Sequence, residues 1–236
     1  MVSYRVKKPT WQECRSWLKE SSVNPRTGRR IGYSGAIYAA LSKACHSKST
    51  YSKIGDKTEL LMALIHRTPV ENGLKILEDG KLLSKEHLRE RSERKQEAKS
   101  GYGGSDKWVY LGGICAVDVH KDILRTELGL KMVLILSPNL LNGRTDWILN
   151  PDWNFGRIHK GSKIAKEVKA VDFVPSCIDK EFLFPDEIDL FRWLKYIAVK
   201  ESERDAVLKL LPAKFHHLVV TSNNPGSWLS KVREEH

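Results

Sequence analysis

Residues 60–83 read LLMALIHRTPVENGLKILEDGKLL, and the organisation of the rest of the chain follows from how this stretch folds. The apolar run Leu60 to Ile65 has the length and composition of a buried strand, which delivers two polar residues, His66 and Thr68, to its end. A helix is predicted to follow at once. Thr68 has the chemistry of an N-cap, Pro69 of a first helical residue and Glu71 of the reciprocal partner in a Thr-x-x-Glu capping box. Val70, Leu74 and Leu77 recur at helical spacing on one face, and Gly80 stands where a left-handed C-cap stops the helix. Such a strand-to-helix junction holds His66 and Thr68 in place, either as hydrogen-bonded structural residues or as ligand-holding ones.

A strand, a His-x-Thr and a helix closing in Asp-Gly resemble the first motif of the ADP-ribosyltransferase superfamily, to which the RNA 2'-phosphotransferases also belong. The resemblance implies that His66 and Thr68 hold ribose hydroxyls of NAD and that the backbone of Arg67 between them meets the nicotinamide amide. Trp108 to Leu111 (WVYL), strand-like and ended by Gly112-Gly113, resembles the second motif and makes Tyr110 the residue beside the nicotinamide pocket, with a core tyrosine as the alternative. No Tyr follows in ICAVDVHKDILRTEL, residues 114–128, where poly(ADP-ribose) polymerases carry their stacking ring. The block 181–199, EFLFPDEIDLFRWLKYIAV, resembles the third motif, in which a glutamate opens an apolar strand. Glu181 takes that place; Glu187 reads as surface, Leu194 to Val199 as a final strand, and residues 175–180 correspond to the acceptor-recognising loop.

The chain has 236 residues of which 41% are hydrophobic, enough for one large domain or for a small and a medium one. No run of 18 apolar residues occurs, and the opening MVSYRVKKPTWQEC lacks the apolar middle of a signal peptide, so a soluble, intracellular protein with no membrane association is expected. The four cysteines show no CxxC spacing, which speaks against zinc and against a dense disulfide framework. Residues 1–60 hold 12 Lys plus Arg against 4 Asp plus Glu, so +8 of the net +11 sits in the first quarter. Such a patch attracts phosphate polymers or an acidic protein surface, or is a solvated basic face.

Within that quarter, Trp11 to Glu20 carries Trp11, Cys14, Trp17 and Leu18 at helical spacing behind Pro9 and Thr10. Asn24-Pro25 and Thr27-Gly28 mark turns, and Ala36 to Ala44 forms a second helix. Cys14, NPRTGRRI at 24–31, Gly35, Tyr38 and Cys45 together resemble the two-cysteine adaptor domain found in large DNA viruses such as iridoviruses and ascoviruses. That resemblance implies a viral origin and a tethering role. Arg26, Arg29 and Arg30 either present guanidinium forks to phosphate or carboxylate or are simply solvated. Cys14 and Cys45 are expected to pack together as thiols in a reducing cytosol. Residues 47–58 are polar and aperiodic, a linker, which divides the chain into a basic helical module (1–50), a linker (51–58) and the main domain (59–236).

Elsewhere, residues 85–107 read as a charged helix and a glycine loop forming a lid, with Arg89 or Arg91 as phosphate-reaching or solvated groups. Lys131 to Ser137 is a buried strand. The long segment 138–162 offers Trp147, Trp153 and Phe155 either to stack on a base or a nicotinamide ring or to pack on their own sheet. Lys166 to Val174 alternates as a half-buried strand does, 201–211 is an amphipathic helix, and a strand is expected at His217 to Thr221. His216 and His217 have no accompanying carboxylate pattern, so no metal site is expected.

The resulting expectation is an α+β protein: a small helical N-terminal module followed by a split mixed or antiparallel β-sheet with flanking helices, as in ADP-ribosyltransferases. Function follows from the resemblance: NAD as substrate, Glu181 and His66 catalytic, His66, Arg67, Thr68 and Tyr110 holding NAD, and a protein or nucleic acid as acceptor. A viral source places it in the host cytoplasm or nucleus, or on the virion. Two rivals stand beside it. An RNA 2'-phosphotransferase would share His66 and the fold but relies on Arg and His residues that grip the RNA phosphate; a binding protein would keep the fold without catalysis.

Overall fold

The apolar run at 60–65 does form a strand, β1, but it spans Leu61–Thr68 and carries His66, Arg67 and Thr68 inside it. The computed structural model describes residues 9–19, 22–32, 35–45, 60–90, 106–115, 132–152, 158, 160–173 and 177–221. Two helices precede β1, α1 (Trp11–Lys19) and α2 (Ala36–Cys45). After it come α3 (Val70–Asp79), β2 (Lys81–Leu83), α4 (Lys85–Glu90), β3 (Trp108–Cys115), β4 (Met132–Leu136), α5 (Leu140–Gly143), β5 (Ile148–Asn150) and β6 (Lys163–Ile164). β7 (Glu181–Pro185), β8 (Glu187–Asp189), α6 (Leu190–Trp193), β9 (Leu194–Val199), α7 (Arg204–Leu210) and β10 (Val219–Thr221) complete the described part. Eight strands form one mixed sheet in the order β10-β9-β4-β1-β3-β7-β5-β6, and β2 pairs with β8 in a separate ladder. All pairs are antiparallel except β9 with β10. The fold class is thus α+β, as expected.

Both faces of the sheet are covered, which is why Leu61–Ile65 of β1 and all of β4 are apolar instead of alternating. Leu61 and Leu64 join the larger core with Leu77 of α3 and with Met132, Leu134 and Leu136 of β4. Met62, Ala63 and Ile65 join a second cluster with Val133, Ile135, Ile114 and Ala198. The register of β1 on β3 shifts between Leu61 and Ala63, a bulge that puts Met62 and Ala63 in the same cluster.

Several sequence expectations change here. Thr68 does not cap α3: it stays in β1, opposite Met132, and Pro69 takes the N-cap position with φ −52° and ψ 147° and no side-chain cap bond. Gly80 does stop α3, with φ 67° and ψ 14° and its N–H on the Ile76 carbonyl. Gly112 and Gly113 lie within β3 and do not end it, because a Cβ on Gly113 would come within 2.7 Å of Phe182 Cε2. Of the strand expected at 166–174, the described residues 166–173 form none; the pattern belongs to 3₁₀ turns at Ala165–Glu167 and Ala170–Phe173, with Phe173 buried 5.9 Å from the Phe182 ring. The last strand begins at Val219, and His216 and His217 sit in a 3₁₀ turn before it. Leu194–Val199 is a strand as expected, and the 201–211 helix is present as a 3₁₀ turn leading into α7.

In the N-terminal module, Thr10 and Glu13 form the reciprocal cap of α1: Thr10 N–H donates to Glu13 Oε2 at 2.6 Å and Glu13 N–H to Thr10 Oγ1 at 3.2 Å. Trp17, fully buried, meets Tyr38 of α2 edge-on at 5.3 Å. Cys14 and Cys45 are not thiols but a disulfide, and so are Cys115 and Cys177; their Cα atoms lie 5.0 and 5.4 Å apart, inside the range a disulfide spans.

Candidate active site: a cleft where two strands part

β1 and β3 pair from Leu61 with Cys115 to Ile65 with Gly112, and there the ladder ends. Beyond it β1 continues only against β4, as far as Thr68 with Met132, while β3 from Gly112 to Trp108 pairs with β7. The two middle strands of the sheet therefore part, and a cleft of about 310 Å³ opens between them, within the range of small-molecule sites. His66, Arg67 and Thr68 line one side, Trp108, Val109 and Tyr110 the other, and α3 and α4 close it. Four of the five expected site residues thus converge on one cavity.

One side chain spans the parting. His66 Nδ1 lies 3.2 Å from the Tyr110 carbonyl oxygen. A carbonyl only accepts, so Nδ1 carries the proton, and in the neutral ring Nε2 is left as an acceptor. Burial pushes the His66 pKa down, opposed in part by the bond to Tyr110, so the ring is neutral at physiological pH.

Glu181 does not line the cleft. It opens β7 fully buried, directly opposite Gly112 of β3 and Asn150 of β5. Two residues along, Tyr110 faces Leu183, on the same side of the sheet as Glu181. Burial, then the charges of Glu181 and Asp106, push the Tyr110 hydroxyl up to about 12. Tyr110 is therefore the link: it lines the cleft on one side and feels the Glu181 carboxylate on the other. Asn150 is a functional candidate the sequence reading missed. Its Nδ2 donates to Glu181 Oε2 at 2.8 Å, and its Oδ1 accepts from Ser162 Oγ at 2.6 Å. A polar residue ending an apolar run, the signal that singles out His66, is present in WILN, residues 147–150.

Trp147 stacks on no ligand. It is fully buried between Phe182 and Phe184, with Nε1 donating to the Leu141 and Arg144 carbonyls. Trp153, Phe155 and Arg91 lie outside the described residues, as do Arg157 and His159, the two ends of an Arg-x-His of the general kind an RNA 2'-phosphotransferase would need. Glu187 is half-exposed and ion-paired to Lys81 at 2.7 Å.

At the N-terminal module the basic loop folds as an Asx turn, with Asn24 Oδ1 accepting from Arg26 N–H and Gly28 at φ 65°. Arg26, one of the three arginines expected to meet a partner, is bonded within the module. Its Nε and Nη2 fork onto Glu13 at 2.6 and 2.9 Å, which with the Thr10 N–H holds the Glu13 carboxyl at about 2. Residues 13–47 match the 2-cysteine adaptor domain family. There Arg26 ties the loop to α1, and Arg29 and Arg30 are exposed, Arg30 in an isolated bridge with Val23.

A comparison with curated protein sequences gives no match. Among solved structures the chain is similar to Thermosipho africanus DarTG in complex with ADP-ribose, at 14% identity and TM-score 0.44, over 68% of this chain and 50% of that one. It thus spans half the length of that relative. It is also similar to Thermus sp. 2.9 DarT in complex with ADP-ribosylated ssDNA (13% identity, 69% of this chain, 94% of that chain, TM-score 0.40) and with carba-NAD+ (13%, 69%, 96%, TM-score 0.43). No helix among the described residues is long and apolar enough to cross a membrane.

Proposed function

We propose that this protein is an NAD-dependent ADP-ribosyltransferase acting on a macromolecule, with the adaptor domain as a tether. The observation that carries the reading is the parting of β1 and β3, which sets His66 and Tyr110 on the two walls of one cleft with a buried carboxylate behind Tyr110. Each piece has chemistry to match. Residues 66–68 of β1, past the end of its ladder with β3 and paired with β4 on the other edge, line the cleft with strand backbone that suits a planar amide such as that of nicotinamide. His66 Nε2 accepts from a ribose hydroxyl. Cleavage of the bond between nicotinamide and ribose develops positive charge on the sugar, as glycoside hydrolysis does, and a fixed carboxylate stabilises it. Glu181 acts across a dry interior, where its field is little screened. Direct bonding of Glu181 to the 2'-OH requires the groups that cover it to move aside.

The acceptor is a protein or a nucleic acid; the +8 carried by residues 1–60 supports a phosphate polymer or an acidic surface near the tether. With this reading go a large DNA virus as source, host cytoplasm or nucleus or the virion as location, and a domain boundary at 51–58, each supported by sequence alone. A chain beginning at Tyr51 that failed to fold would contradict the boundary. The activity is tested by Glu181→Gln, which keeps shape and one acceptor: NAD binding by calorimetry stays, while single-turnover transfer from labelled NAD slows roughly 100-fold or more. Glu187→Gln changes transfer less than about twofold, a surface-substitution effect. Wild-type turnover in Glu181→Gln, or collapse in Glu187→Gln alone, refutes the assignment.

A further inference from the structure

We infer that Asn150 is the positioning residue of the Glu181 carboxylate, itself oriented by Ser162, so that a three-residue relay from β5 sets the catalytic group in place. The inference rests on the transferase reading and adds to it a residue for which neither composition nor motif gave a role. Three facts carry it. Asn150 and Glu181 are directly opposed in the β5–β7 ladder, so their side chains leave the same face of the sheet. Both are fully buried. Both ends of the Asn150 amide are engaged, Nδ2 with Glu181 Oε2 at 2.8 Å and Oδ1 with Ser162 Oγ at 2.6 Å.

The chemistry of the three groups fixes the direction of every bond. An ionised carboxylate only accepts, so the amide must turn Nδ2 towards it; Oδ1, a carbonyl oxygen, then only accepts, so the Ser162 hydroxyl must donate. Protons point one way, from Ser162 through Asn150 to Glu181. The relay holds the plane of the carboxylate against rotation, which fixed electrostatic stabilisation of an oxocarbenium ion requires. Tyr110 faces the carboxylate from β3, and the uncharged Asn150–Ser162 pair faces it from β5 and the turn before β6.

Asn150 and Ser162 are not among the residues that line the cleft with His66, Arg67 and Thr68, so their effects fall on turnover and not on NAD affinity. Asn150→Leu lowers kcat about 10- to 100-fold, the usual cost of losing the partner that orients a reacting group, with KM for NAD changed less than about threefold. Ser162→Ala lowers kcat by less, about 2- to 10-fold on the same scale. Asn150→Asp opposes two carboxylates that must share a proton, so the acid limb of the kcat–pH profile moves to higher pH by about one unit or more, a movement a merely structural role does not produce. The double variant Asn150→Leu with Glu181→Gln is no slower than Glu181→Gln alone, because the effect passes through Glu181. Kinetics are compared per folded molecule, by thermal melt; should Asn150→Leu not fold, the near-isosteric Asn150→Asp and Ser162→Ala carry the test. Wild-type kcat in Asn150→Leu, an unmoved acid limb in Asn150→Asp, or additive losses in the double variant overturn the inference. If Glu181→Gln is slow and the Asn150 variants are not, this inference alone falls; if Glu181→Gln matches wild type, the transferase reading falls first.

Discussion

Replacing His66 by Ala gives a stability effect whose pH dependence follows from the site. At pH 7.5 the variant loses the bond to the Tyr110 carbonyl, worth about 1 kcal/mol, and the burial of a half-covered ring, worth about 1–2 kcal/mol more. It is therefore less stable than wild type by roughly 2–3 kcal/mol. Burial holds the His66 pKa below its ordinary 6.5 in the folded protein. As pH falls through 6.5 the unfolded chain takes up a proton at this residue that the folded chain does not, so wild-type stability drops until the folded pKa is reached. The alanine variant has no such term. If His66 is still neutral at pH 5.5, wild type has lost about 1.4 kcal/mol by that point, which is the ceiling for one proton over one pH unit. The gap between the two proteins thus narrows on acidification. Urea unfolding of both at pH 7.5, 6.5 and 5.5 reads it directly, because the remaining histidines and carboxylates cancel in the difference. A gap that stays constant, or widens towards pH 5.5, would mean that the folded protein keeps or gains the proton, and the neutral His66 with an accepting Nε2 would be wrong.

Gly80→Ala puts a side chain at φ 67° with its Cβ 2.8 Å from Phe191 Cε2, and Phe191 is itself stacked on Phe215 at 4.9 Å; the expected loss is roughly 2–4 kcal/mol in urea unfolding, and less than 1 would show that Phe191 yields freely. Reducing both disulfides lowers stability, by up to about 4 kcal/mol for Cys115–Cys177 with its separation of 62 residues, and an unchanged melting temperature in reductant would show the cysteines to be thiols already. Arg26→Ala returns the Glu13 carboxyl from about 2 towards its ordinary 4.5, observable by carbon-13 NMR of labelled glutamate. In wild type that pair stabilises the fold above about pH 4.5 and is lost as pH falls towards 2; an identical acid-side stability slope in the variant would contradict the fork.

The parts of this protein that were legible from sequence are those where one residue type answers one backbone demand. Gly80 could be placed because a left-handed helix stop is chemically selective. Glu181 and His66 were visible as polar residues abutting apolar runs. What stayed hidden depends on partners distant in the chain. Thr68 has the chemistry of a cap, yet pairing with Met132 keeps it in the strand, a long-range contact that overrides the local signal. The phase of β1 was unreadable because Leu61–Ile65 is apolar on both faces. Residues 166–174 alternate as a strand does, but among the described residues no strand pairs with 166–173, and the chain closes there into tight turns instead. Arg26 looked like a ligand fork and is spent on Glu13, 13 residues away.

The bulge at the start of β1 has a bearing on how the chain tolerates change. In a strand, a shift of one residue would exchange inward and outward side chains all the way to Thr68, turning His66 away from the wall it occupies. Here two successive residues, Met62 and Ala63, already face one side, so the count from Leu61 to Leu64 is odd and the parity of the strand is reset just upstream of the cleft. Loss of one of the two would straighten the strand and leave everything from Leu64 onward in its present phase. The bulge thus works as a slack link in the chain: it can give up one of its own two residues without turning His66 from the cleft.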